Sequence, residues 1–185
     1  MTGHGWYWTL RVVFYRYNQP EAQPVRFEHR IESSINRLAD SSLVARKLAV
    51  DHRLLVASPK YLEQHGIPAT PDELMTHQCV VFPGVNRWKF ETGQTIEAPR
   101  SFVVNDGEAM RYMIESGSGI GMKSLWNAGR SLESGELVEV LSDYPLSTES
   151  AIWALYPSNR IVAPKVRAMI DFLLERFTPV PPWER

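Results

Sequence analysis

Apolar positions along this chain fall into short runs that alternate with stretches repeating every three to four residues, the pattern of strands exchanging with helices. Arg53–Ala57 is a compact apolar run with strand character. It leads into Ser58, a good helix N-cap, and Pro59, which suits the first helical position, while Gly66 can end the turn that follows. Thr70-Pro71-Asp72-Glu73 then has the form of a capping box opening a second helix. Further strands are predicted at Cys79–Phe82, Ser101–Val104, Gly119–Met122, Leu137–Leu141 and Ala151–Tyr156. Asp106 can cap a helix in which Ala109, Met110, Met113 and Ile114 make an apolar stripe, Glu108 and Arg111 face water, Glu115 lies on the surface and Gly117 is the stop. From Pro164 the last helix repeats Val166, Met169, Ile170, Leu173, Leu174 and Phe177 at helical spacing.

This alternation predicts an α/β fold with helices covering a mostly parallel sheet. Trp88 and Phe90, with a turn at Gly93-Gln94, predict a strand pair whose aromatic side chains share one face and whose Lys89 and Glu91 share the other. Packing explains those aromatics better than base stacking, because basic residues do not interleave with them. The N-terminal stretch is less coherent. Trp6–Tyr17 leans toward a strand, Pro20 and Pro24 forbid a long helix after it, and residues before Asp40 are expected to be the weak part of the fold. Thr178–Trp183 reads as a surface or frayed proline-rich tail.

Composition narrows the class. The chain has 185 residues, 44% hydrophobic and 22% charged, with a formal net charge of −1. It can bury a real core, and its overall charge supplies no general attraction to nucleic acid or anionic membranes. The single cysteine, Cys79, excludes an internal disulfide framework. No apolar run reaches the roughly 18–20 residues of a membrane-spanning helix, and the first residues lack a secretory pattern, so cytoplasmic residence and no membrane partner are expected.

Few residues are arranged for catalysis. His4, His29, His52, His65 and His77 show no paired metal-ligand spacing, and no metal or cofactor is expected. Cys79 lies in Cys-Val-Val-Phe, a setting for a buried structural thiol. Gly117-Ser-Gly-Ile-Gly121 follows a helix and lacks the Lys-Ser/Thr ending of a phosphate loop, so a tight helix-to-strand turn is the favoured reading. Val104-Asn105-Asp106-Gly107 has more promise, since a strand ends and a helix begins there and open backbone N–H groups face whatever lies beyond. Helix capping alone explains the same residues. Ser58 and Phe82-Pro83 raise the same possibility at other strand ends.

Several segments in order resemble the effector-binding domain of LysR-type transcriptional regulators. They are Asp40–Leu48 (Asp-Ser-Ser-Leu-x-x-Arg-x-Leu), Ala57–Leu62, Gly66–Leu74, Trp88–Phe90, Val104–Ala109, Gly117–Gly121, Ser134–Val138 and Tyr156-Pro157, up to the helix Pro164–Phe177. Asn36 stands where that family commonly has glycine. The resemblance implies a two-lobed, type II periplasmic-binding-protein-like domain. Residues 58–150 would form the second lobe, and 1–57 with 151–185 an incomplete first lobe. It also implies a small-molecule effector held in the inter-lobe cleft. Ligand contacts are expected from Ser58, Phe82, Pro83, Val104, Asn105, Asp106, Gly107, Gly121 and Met122, with the helix starts at Ser58 and Asp106 facing one cleft and favouring an anionic or strongly polar compound.

The same resemblance implies a homodimer or higher homo-oligomer that reaches DNA only through a helix-turn-helix domain, which the residues here do not display. An exported solute-binding protein of the same fold and a truncated, nonfunctional regulator fragment are the competing readings. An enzyme on this fold is disfavoured by the missing catalytic set.

Overall fold

The computed structural model describes residues 11–16, 43–147, 150–157 and 164–184. The chain divides into two compact units, residues 1–50 with 150–185, and residues 51–149. The first crossing falls between Val50 and Asp51, seven residues before the expected boundary, because the strand at Arg53–Ala57 pairs inside the second unit.

In the first unit, β1 (Arg11–Arg16), β10 (Ser150–Pro157) and β2 (Leu43–Val50) form a sheet in the order β1-β10-β2. Both pairings are antiparallel, with Val13 opposite Trp153 and Ala154 opposite Arg46. The register shifts between Ile152 and Trp153, a bulge that accommodates Leu48 on the β2 side. The helix α4 (Pro164–Phe177) covers this sheet, burying Val166 and Ile170 against Leu48, Ala49, Ile152 and Ala154. Met169, predicted within the apolar stripe, is 46% exposed. Of the two readings of the proline-rich tail, surface or frayed, the first fits: Thr178–Val180 are exposed, and Trp183 stands edge-on to Phe177 with ring centroids 4.8 Å apart. The strand expected within Trp6–Tyr17 is present as β1; the rest of the segment before Leu43 lies outside the described residues.

The second unit holds β3 (Arg53–Ala57), β4 (Cys79–Val81), β7 (Phe102–Val103), β8 (Ile120–Ser124) and β9 (Val138–Val140) in the sheet order β7-β4-β8-β3-β9. It is mixed, which corrects the expectation of a mostly parallel sheet. β4 runs parallel to β7 and β8, whereas β3 runs antiparallel to both β8 and β9. Successive residues face opposite sides of such a sheet. Leu55, Ala57, Cys79 and Val81 therefore join one core, with α1 (Pro59–His65), the 3-10 segment Pro71–Thr76 and the hairpin β5 (Arg87–Lys89)–β6 (Thr95–Glu97). Val56 and Val80 join the other, beneath α2 (Gly107–Glu115) and α3 (Leu125–Glu133).

The hairpin takes its predicted form, with Trp88, Phe90 and Ile96 buried and Lys89 exposed. Thr70-Pro71 opens a 3-10 turn where an α-helix was expected. Its capping box is rearranged: Thr70 Oγ1 donates to Glu73 Oε1 at 3.2 Å, and Glu73 Oε2 accepts from the Ala69 N–H at 2.9 Å.

Candidate functional site

β4 and β7 are parallel, so their carboxyl ends lie side by side. Phe82 and Pro83 follow β4, and Val104, Asn105 and Asp106 follow β7; the Val104 N–H donates to the Val81 carbonyl at 2.9 Å and locks the two ends together. Phe82 and Val104 are half-buried against the core under α2, while Pro83, Asn105 and Asp106 are exposed. This corner is open on the polar side and apolar behind.

Asp106 has the extended conformation of an N-cap, and its Oδ1 accepts from the Ala109 N–H at 2.8 Å. The N–H groups of Gly107 and Glu108, in the first turn, have no acceptor within the helix by geometry. Together with the helix dipole they favour negative charge at this end of α2. Asn105, immediately outside the cap, can add an amide of either polarity.

Lys123 closes the corner from beneath. β8 runs parallel to β4, so its last residues reach the same sheet edge. Alternation puts Lys123 on the face of Gly121, toward α2, and its Nζ donates to the Gly107 carbonyl at 2.8 Å. Lys123 is 4% exposed, and burial pulls its pKa down to about 8 against the opposing influence of Glu108, Asp106 and Glu115. The reading from sequence missed it. The available signal was a lysine directly after the apolar run Ile120–Met122, at the end of a strand that packs against a helix.

The acidic residues around it are already engaged. Glu108 takes Arg111 at 2.9 Å through Oε2 and Asn127 at 2.8 Å through Oε1, contacts that hold its carboxyl below the usual range. Glu115, expected on the surface, is tucked between helices, with Oε1 accepting from Arg111 and from Ser131 Oγ, each at 2.6 Å. These bonds join α2 to α3 and fix the helix pair that carries the corner. Arg111 is correspondingly drawn in from the water-facing position expected of it, its side chain 18% exposed.

Three of the residues predicted for the site lie elsewhere. Ser58 caps α1, accepting from the Tyr61 N–H at 3.3 Å, but β3 runs against β4 and β8 and delivers it to the opposite sheet edge. A Cβ at Gly117, just past the far end of α2, would lie 3.7 Å from Ser58 Oγ. The Ser58 and Asp106 helix starts are thus separated by the length of α2, roughly 13 Å at 1.5 Å per residue, and do not share a site. Gly121 is a packing residue: a Cβ there would come within 2.4 Å of Ile114 Cδ1. Met122 points to the other face, into the core with Tyr61 and Leu74.

Cys79 is fully buried and burial raises its thiol pKa to about 12, the setting of an unreactive structural cysteine. Among the described residues no group of three or more His, Cys, Asp or Glu could hold a metal ion, and no helix is long and apolar enough to cross a membrane.

Residues 33–178 match the LysR substrate binding domain. The chain belongs to that family. It is 33% identical over 143 residues to the HTH-type transcriptional regulator DmlR of Escherichia coli, covering 74% of this chain and 46% of DmlR. It is also 33% identical over 143 residues to the regulator CrgA of Neisseria meningitidis serogroup C, covering 75% and 48%. The chain thus spans about half the length of these curated relatives.

Among solved structures, the CrgA regulatory domain of N. meningitidis superposes with a TM-score of 0.67 at 32% identity, covering 74% of this chain and 70% of that one. The full-length virulence activator AphB of Vibrio cholerae gives 0.65 at 28% identity, covering 89% and 51%. The LysR substrate-binding domain therefore carries the regulatory-domain fold, type II periplasmic-binding-like, with mixed sheet strands. Its relatives are bacterial transcriptional regulators.

Proposed function

We propose that this LysR substrate-binding domain senses a small anionic or strongly polar metabolite at the corner formed by Phe82, Pro83, Val104, Asn105, Asp106 and Gly107, and passes its presence to a DNA-binding domain. The observation that carries the reading is the exposed junction where two parallel strand ends meet the first turn of α2. There, open N–H groups and a polar Asn105 stand before an apolar wall. Membership in a family of regulators supports the transfer of that signal to transcription.

The protein works in the cytoplasm as a homodimer or higher homo-oligomer, binds DNA through a helix-turn-helix domain, and catalyses no reaction. Self-association follows the rule that one self-complementary patch serves both copies of a symmetric pair.

Titration calorimetry with a library of small organic acids, amides and alcohols tests the reading. Asn105→Ala is expected to weaken binding of the best compound about tenfold, the loss of one hydrogen bond to a charged group, with little change in melting temperature. Affinity unchanged by that substitution, and by Asp106→Asn, removes the corner from the binding site.

A further inference from the structure

The charge balance at the α2 corner is incomplete. Lys123 is the buried cation there, and its ammonium has three N–H donors, of which one is used among the described residues, on the neutral carbonyl of Gly107. Among the described residues no carboxylate stands within 4.0 Å of its nitrogen. The three acids near enough to influence it are committed elsewhere: Asp106 to the Ala109 N–H, Glu108 to Arg111 and Asn127, Glu115 to Arg111 and Ser131. Burying a charge without a counter-ion is costly, and a fold that needed only a link between β8 and α2 could make it with a neutral donor. Perturbed, under-paired groups of this kind gather at binding sites.

Resting on the effector-binding reading above, we propose that Lys123 is the anion anchor of the corner, pairing with a single carboxylate of the effector while the Gly107 and Glu108 N–H groups take its other oxygen. The number of charges follows from the surroundings. One ammonium and one helix start face the ligand, and Asp106 and Glu108 flank it, so a monoanionic carboxylate is accommodated where a phosphate dianion meets repulsion.

The experiment uses the 185-residue chain, with acetate, lactate, succinate and benzoate as probes, each beside its primary amide, and with inorganic phosphate. Binding is followed by calorimetry and by the side-chain NMR signals of Lys123. At least one carboxylate is expected to bind, with its amide about tenfold or more weaker, and to shift the Lys123 titration upward from its buried value. Lys123→Met keeps an unbranched apolar stem of similar reach and removes the ammonium, and is expected to weaken that carboxylate at least about tenfold while leaving its amide unaffected.

A carboxylate that binds Lys123→Met as tightly as the parent, or an amide that binds as tightly as its acid, overturns the anchor and leaves the effector reading standing. Phosphate binding in place of every carboxylate also overturns it. If no probe binds, the anchor is wrong; the effector reading then falls only if the uncharged members of the wider library fail as well. Should Lys123→Met not fold, the NMR titration of the parent chain decides: a Lys123 signal unmoved by saturating carboxylate refutes the proposal.

Discussion

Gly121 lies so close beneath Ile114 that a β-carbon would come within 2.4 Å of the isoleucine Cδ1, with Met110 Cε at 3.0 Å. Both side chains are buried in the core under α2, so their tips must shift against packed neighbours to admit a methyl group. Gly121→Ala is expected to cost about 1–3 kcal/mol, the usual penalty of overpacking. Chemical denaturation measures it, and Ile114→Val in the same chain should return part of the loss. Equal stability of Gly121→Ala and the parent would show that the Ile114 and Met110 tips move aside at no cost.

Ser58 and Asn105 should separate stability from binding. Ser58→Ala removes the hydroxyl that caps α1 and is expected to cost about 1 kcal/mol without changing effector affinity, since the residue sits at the opposite sheet edge. Asn105→Ala should do the reverse. Thermal melts and binding isotherms of the pair read both effects, and a loss of affinity in Ser58→Ala would contradict the antiparallel placement of β3.

Lys123 makes stability depend on pH in a predictable direction. Its folded value of about 8 lies below the ordinary 10.5, so between these limits the unfolded chain holds more protons. Its contribution therefore increases as pH rises from about 8 to about 10.5. Cys79 acts oppositely. Its folded value of about 12 stands above 9.0, so its contribution is full below pH 9.0 and is lost as pH climbs toward 12. The difference in melting temperature between Lys123→Met and the parent isolates the lysine: it should swing in favour of the parent as pH rises from 8 to 10.5.

The thiol itself offers a direct probe of the sheet. Cys79 is buried on a central strand and its thiolate is disfavoured, so a thiol-specific maleimide should label it only as fast as the second unit opens. Labelling should accelerate in step with Gly121→Ala. Rapid labelling of the native parent at neutral pH would place Cys79 outside the core.

Local chemistry reaches some elements of this domain and stops short of others. Asp106 as a cap, Gly117 as a helix stop and the Trp88–Ile96 hairpin are each set by a few neighbouring residues, and each appears where its pattern predicts. Glu115 shows the limit. As a helical glutamate it reads as solvated, and only the arrival of Ser131 from α3, sixteen positions away, makes it part of a half-buried network. The 3-10 turn at Pro71–Thr76 is a milder case, in which a good capping sequence was present but the helix did not extend.

The sequence by itself determined the family, through the order of its motifs, and most of the helix starts and strand runs, because caps, glycine stops and apolar periodicity act within a few residues. Strand direction was decided only in three dimensions. Arg53–Ala57 is equally apolar whichever way it runs, but pairing antiparallel to β8 sends Ser58 to one edge while β4 and β7 deliver Phe82 and Asn105 to the other. The same assembly brings Lys123 to the Gly107 carbonyl, sixteen residues back along the chain. A buried charge is defined by what surrounds it, and those surroundings come from elements that only the sheet and its covering helices bring together.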